Sequence, residues 1–129
     1  MLGERRRDTR VTKSLPVIYA GGNGRPESRF VKNSATLDIS ISGLRFNVFH
    51  LIEPEDILDL DIFLGLSTEP LSLTSKVCWR KRLDGAGTGQ VGVCFLDIGS
   101  PQHLRLVKLI KEYWRARWQR GTLQNIAAG

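Results

Sequence analysis

The sequence predicts an all-β-dominated fold, six antiparallel strands closed into a small barrel and followed by one C-terminal α-helix. Three observations carry this. Short runs alternate apolar and polar residues with a period of two, the pattern of half-buried strands. Clusters of glycine, proline, asparagine and aspartate separate those runs. One stretch near the C-terminus switches to apolar residues three and four apart, and it opens on Ser100-Pro101, a serine N-cap with proline at the first helical position.

The elements follow in order. Residues 1–12 are polar, mostly charged and aperiodic, so they read as a flexible basic arm. Ser14 to Tyr19 starts the sheet, with Pro16 early in the strand, where a missing N–H is tolerated. Gly21 to Pro26 is a turn, and Arg29 to Leu37 pairs back as the second strand. Asp38 to Ser42 is polar at every second position and ends at Gly43, which places a turn there. Leu44 to Val48 and Ile57 to Leu64 are the next two strands, separated by the Glu53–Asp56 loop. Leu71 to Trp79 sets Leu71, Leu73, Ser75, Val77 and Trp79 on one face, a parity that reads Trp79 as a core residue. After the glycine-rich loop Asp84–Gly89, Gln90 to Leu96 points Val91, Val93 and Phe95 one way. In the helix Leu104, Val107, Ile110 and Trp114 form an apolar face that can close one end of the barrel, and Gly121 is the expected stop. The chain thus divides into an arm (1–12), a barrel with its helix (13–120) and a disordered tail (121–129).

A chain of 129 residues with 41% hydrophobic and 25% charged residues suits one folded domain rather than a disordered segment. The formal charge of +6 is uneven. Residues 1–13 net +3, residues 105–120 net +5, and the remainder nets −2. Basic charge at both ends calls for an anionic partner. The opening Met1-Leu2-Gly3-Glu4-Arg5 leads into charge, so no signal peptide is expected, and no apolar run is long enough to span a membrane. A cytoplasmic location is the expectation. Cys78 and Cys94 have no metal-ligand spacing and lie in apolar runs, so they read as two small buried hydrophobes.

Two segments carry the chemistry. Arg5-Arg6-Arg7-Asp8-Thr9-Arg10 concentrates guanidinium groups. Each offers a planar fork of donors that chelates phosphate and the O6/N7 edge of guanine, and stacks on bases. Asp38-Ile39-Ser40-Ile41-Ser42-Gly43 offers a carboxylate that can accept from the donors of a guanine edge. Its Ser40 can hold the turn or donate to a ligand, and its Gly43 permits a positive φ or a close backbone approach. Taken singly, the first reads as a solvated basic leader and the second as an ordinary turn.

Together, Arg-x-x-x-Arg (Arg6 to Arg10) followed by Asp-x-Ser-x-x-Gly (Asp38, Ser40, Gly43) resembles the PilZ family of bacterial cyclic di-GMP receptors. Leu15-Pro16-Val17, Val77-Cys78-Trp79 and Val91-Gly92-Val93-Cys94-Phe95 are similar to family landmarks. The resemblance implies a split six-stranded barrel with a C-terminal helix and an arginine arm that wraps the ligand. It implies that Arg6 and Arg10 bind phosphate and guanine, that Asp38 and Ser40 bind a guanine edge, and that Gly43 shapes the turn. Arg5 and Arg7 extend the cluster toward a second ligand molecule, since some relatives bind a stacked dimer, and Trp79 is a candidate to border the base. It implies no cofactor and an unidentified protein effector in motility, surface attachment or polysaccharide export.

A nucleic-acid-binding barrel is the alternative, resting on Arg105, Lys108, Lys111, Arg115 and Arg117 of the basic helix. An enzyme is not expected. His50 and His103 lack partners at catalytic or metal spacing, and His103 reads as a neutral surface residue. Asp59 and Asp61 share a strand face and read as solvent-facing, and Gly85–Gly89 lacks the lysine and following helix of a phosphate loop.

Overall fold

The computed structural model describes residues 10–22, 25–49, 52–64, 69–82 and 88–128, with helix side chains described through residue 116. Arg5, Arg6, Arg7, His50, most of the Asp84–Gly89 loop and the Trp118 side chain lie outside the described residues.

Six strands form: β1 (Pro16–Gly21), β2 (Phe30–Ile39), β3 (Gly43–Val48), β4 (Ile57–Ile62), β5 (Leu71–Arg82) and β6 (Gly89–Phe95). All pairings are antiparallel, and the sheet closes on itself in the order β1-β2-β3-β6-β5-β4. Closure pairs every strand on both sides and leaves no edge for another chain to extend. The inward positions are those the period of two selects: Val17 and Tyr19, Leu44, Phe46 and Val48, Leu58, Leu60 and Ile62, and Val91, Val93 and Phe95. Tyr19 packs at the centre, with ring centroids 4.9 Å from Phe46 and 6.0 Å from Phe30. A 3-10 turn, Pro26–Ser28, lies in the β1–β2 connection.

Two bulges break the alternation. One lies in β2 between Thr36 and Asp38, the other in β5 between Val77 and Trp79. Thr36 faces inward, where its hydroxyl donates to the Lys13 carbonyl and accepts from the Leu15 N–H. Val77 is likewise buried. Past each bulge the parity is reversed.

Helix α1 (Pro101–Ala128) closes one end of the barrel. Among its described side chains, His103, Leu106 and Ile110 are buried and Tyr113 packs against the core, while Leu104 is 58% exposed and Trp114 37%. The expected face is therefore rotated. Apolar residues at 104, 106, 107, 109 and 110 allow several overlapping stripes, and contact with the barrel selects one. The helix also continues past Gly121 to Ala128. A glycine in a helix interior costs only about 1 kcal/mol and does not by itself end one. Among the described residues no helix is long and apolar enough to cross a membrane.

The segment preceding β1 is docked from residue 10 onward. Val11 forms an antiparallel bridge with Ile39, its N–H donating to the Ile39 carbonyl at 2.7 Å and its carbonyl accepting from the Ile39 N–H at 3.0 Å. Val11 is buried in the core, and Lys13 lies over the Tyr113 ring at 5.8 Å.

The reading of the cysteines as buried hydrophobes is overturned. Cys78 and Cys94 are exposed and joined by a disulfide, with Cα atoms 6.3 Å apart. Cys94 lies between inward Val93 and Phe95, so it points outward, and Cys78 occupies the β5 bulge beside it. Parity and pairing bring the two within the span a disulfide bridges.

Two consequences are measurable. The disulfide closes a loop with a sequence separation of 16. Reduction should lower unfolding stability by about 3 kcal/mol in urea titrations and release two thiols to a colorimetric thiol reagent. An unchanged midpoint would count against a structural bond. Burial holds the Tyr19 phenol above its ordinary 10.0, a hydrogen bond with the Phe49 backbone partly opposing the rise. The folded state then keeps a proton that the unfolded chain releases. This contribution to stability is complete below about pH 10 and is lost as pH climbs through the folded value. Tyr19→Phe should retain more of its stability at pH 11, relative to pH 9, than the wild type does. An identical alkaline loss in both would refute the assignment.

Candidate functional site

The site begins with the β2 bulge. Without it, Asp38 would share the inward face of Thr36. With it, Thr36 pairs with Phe46 and Asp38 pairs with Arg45, an outward position between buried Leu44 and Phe46. The β5 bulge does the same for Trp79: Val77 pairs with inward Val93, and Trp79 pairs with Gly92. Because Arg45 also pairs with Gly92, one outer row crosses four strands as Asp38, Arg45, Gly92 and Trp79. The core placement expected for Trp79 is thus corrected. It is 40% exposed and lies across Gly92, where any Cβ would collide with the indole.

Arg10 reaches this row through the Val11–Ile39 bridge, which sets it beside Asp38. Its Nη1 donates to Asp38 Oδ1 at 2.9 Å, and Arg45 Nη2 lies 2.7 Å from Asp38 Oδ2. Asp38 is the buried member, with its side chain 10% exposed against 52% for Arg10 and 39% for Arg45. One carboxylate thus orients two guanidinium forks and leaves a local excess of one positive charge. A carboxylate offers about four lone-pair positions, so two remain for other donors. The Nε of Arg45 is buried without a partner among the described residues. The neighbouring outer row adds Asn47, Gln90 and exposed Lys81.

The turn after Asp38 is rigidly built. Ser40 is fully buried, and its Oγ donates to the Gly43 carbonyl at 3.1 Å and accepts from the Ser42 and Gly43 N–H groups at 3.4 and 3.3 Å. The Ser40 N–H donates to the Gly43 carbonyl at 2.8 Å, and the Phe95 N–H to the Ser42 carbonyl at 2.8 Å. In this arrangement Ser40 serves the turn. Gly43 has no Cβ because one would overlap the Val93 carbonyl, so the close-approach reading of this glycine applies.

Of the residues singled out from the sequence, Arg10, Asp38 and Trp79 share the outer row, and Ser40 and Gly43 shape the adjoining turn. Arg5, Arg6 and Arg7 lie outside the described residues. Arg45 and Gly92 were missed. The available signal for Arg45 was its outward parity two residues after Gly43. Asp59 and Asp61 lie elsewhere on the outer surface, accepting from the hydroxyls of Thr74 and Ser72 at 3.5 and 2.7 Å. Among the described residues no cluster of histidine, cysteine, aspartate or glutamate is arranged to hold a metal ion.

A model of the PilZ domain matches residues 4–112. No curated protein matches the sequence. Among solved structures, the PilZ domain of YcgR from Escherichia coli with c-di-GMP superimposes with a TM-score of 0.62 at 14% identity, covering 92% of this chain and 98% of that one. The inhibitor of motility from Bacillus subtilis gives 0.62 at 17% identity over 88% of this chain, which spans only 53% of that protein's length. The PilZ domain of CeSA from a cellulose-synthesizing bacterium gives 0.54 at 18% identity, covering 79% and 97%. At these identities the structural likeness is one of fold. The family match runs through both the arginine segment and the Asp38–Gly43 turn, and on that basis the chain belongs to the PilZ domain family.

Proposed function

We propose that this chain is a cyclic di-GMP receptor that works as a switch without catalysis. The observation that carries the reading is the outer row itself: two guanidinium forks fixed on one buried carboxylate, with a half-exposed indole in the same row. Gly92 alone separates Arg45 from Trp79 in the row, and the indole lies across it, so a base stacked on the outer face of the indole comes beside the Arg45 fork. A guanine stacks on the free face of Trp79 and presents its O6/N7 edge to an arginine fork. Its Watson–Crick donors find the remaining lone pairs of Asp38. That the YcgR PilZ domain is solved with this ligand supports the choice of nucleotide.

The arm completes the site. Arg6 is four residues from Arg10, which bounds its backbone at about 14 Å from that of Arg10, and its side chain reaches beyond that. Free, the arm's like charges repel one another. Ligand phosphates offset that repulsion and order the arm over the bound nucleotide, and Arg5 and Arg7 extend the cluster toward a second, stacked ligand molecule. The ordered surface then meets a protein effector, in control of motility, biofilm or exopolysaccharide. Ligand can shift this equilibrium only by its preference for the closed form.

Calorimetric titration with cyclic di-GMP tests the site and reads its stoichiometry. Arg10→Ala, Arg45→Ala and Asp38→Ala should each weaken binding by about a hundredfold, the scale of one lost bidentate or charged contact. Trp79→Ala should cost about tenfold and Trp79→Phe much less. Thermal melting should show all of these variants folded. Wild-type affinity in Asp38→Ala or Arg10→Ala would refute the site.

A further inference from the structure

The expected surface histidine is buried. His103 is 5% exposed, in the first turn of α1 and against the Phe95 ring. Its Nδ1 accepts from the Gly99 N–H at 3.0 Å, so the ring proton of the neutral imidazole sits on Nε2. That Nε2–H donates to the Ile41 carbonyl, 62 residues away in sequence. Gly99 adopts a left-handed conformation at φ 86, which turns the chain just before the helix and aims its N–H at the ring. Ser100 Oγ accepts from the His103 N–H at 3.2 Å, fixing the residue at the third helical position.

Ile41 is the tip of the Ser40–Ser42 turn. Ser40 and Gly43 lock that turn internally, and Phe95 holds its Ser42 carbonyl from β6. His103 supplies the tie from α1. We infer that His103 is a positioning residue of the nucleotide site: it fixes the Asp38–Gly43 turn against the start of α1, so that affinity at the outer row depends on a side chain that touches no ligand. The inference rests on the receptor reading for its ligand arm. It also couples the turn to a helix whose Leu109 and Trp114 are exposed.

Amide hydrogen exchange and cyclic di-GMP titration on the full chain, in the wild type, His103→Ala and His103→Gln, test this. Glutamine at that position can still donate to Ile41 and suits the third helical position after a serine cap. In His103→Ala the Ser40 and Gly43 amides should exchange about tenfold faster while those of Tyr19 and Leu60 keep their protection, and nucleotide affinity should fall about tenfold. His103→Gln should restore most of both. Unchanged protection at Ser40 and Gly43, or an equal loss across the whole barrel, would overturn the inference. Failure of the wild type to bind the nucleotide would sink the receptor reading, while the exchange measurements still decide the tie.

Discussion

The site depends on two extra residues. A six-stranded barrel has one inward and one outward residue at each step, and strict alternation would send both Asp38 and Trp79 into the core. A charged carboxylate there would have to be desolvated without a partner, and a tryptophan would have to displace the packing around Phe46 and Val93. The bulges in β2 and β5 reverse parity immediately before each residue and deliver both to one outer row. Bulges leave a residue out of the ladder and sharpen local twist, which is why they gather next to functional groups. Here they convert two core-register positions into a surface while Thr36 and Val77 stay inside.

Once outside, Asp38 is made useful by what flanks it. A lone exposed arginine samples many rotamers, and ordering it on a ligand costs side-chain entropy. The Asp38 carboxylate holds the Arg10 and Arg45 forks in place, so in the proposed receptor part of that cost is met in folding. The carboxylate is the least accessible of the three, and less solvent screening makes its contacts stronger than those of a surface pair. The turn beyond it is stiffened by Ser40, whose hydroxyl is spent on the turn's own backbone. In this structure the serine and glycine of the motif shape the turn, while the aspartate and arginine form the ion pairs beside it.

Much of this was legible in the sequence. The six strands follow from period-two alternation and the glycine- and aspartate-rich breaks between them. The spacing of Arg10, Asp38, Ser40 and Gly43 identified the segments that the fold brings together. What escaped was parity. A bulge has no composition signature in Lys76-Val77-Cys78-Trp79, so Trp79 read as core and Cys78 as a small hydrophobe, although Cys94 already lay out of phase with Val93 and Phe95. Arg45 escaped because its importance comes from a cross-strand partner, which a linear pattern does not show. His103 escaped because its two partners, Gly99 and Ile41, belong to different elements. The face of α1 escaped because five apolar residues within seven positions define no unique stripe.

The Val11–Ile39 bridge ties these parts together. Ile39 immediately follows Asp38 and leads into the Ser40 turn, so the pair of backbone hydrogen bonds that seats Val11 in the core also sets Arg10 beside the carboxylate. The chain entering the barrel is thereby anchored at the site, and the arginines before it start within a short, bounded distance of the outer row. An arm tethered elsewhere would have to search a larger volume, and its effective concentration at the site would fall with tether length. The same segment packs beside α1 through Lys13 and Tyr113, while the turn meets α1 through His103 and Ile41. The segment that enters the barrel and the turn therefore converge on one helix as well as on one row.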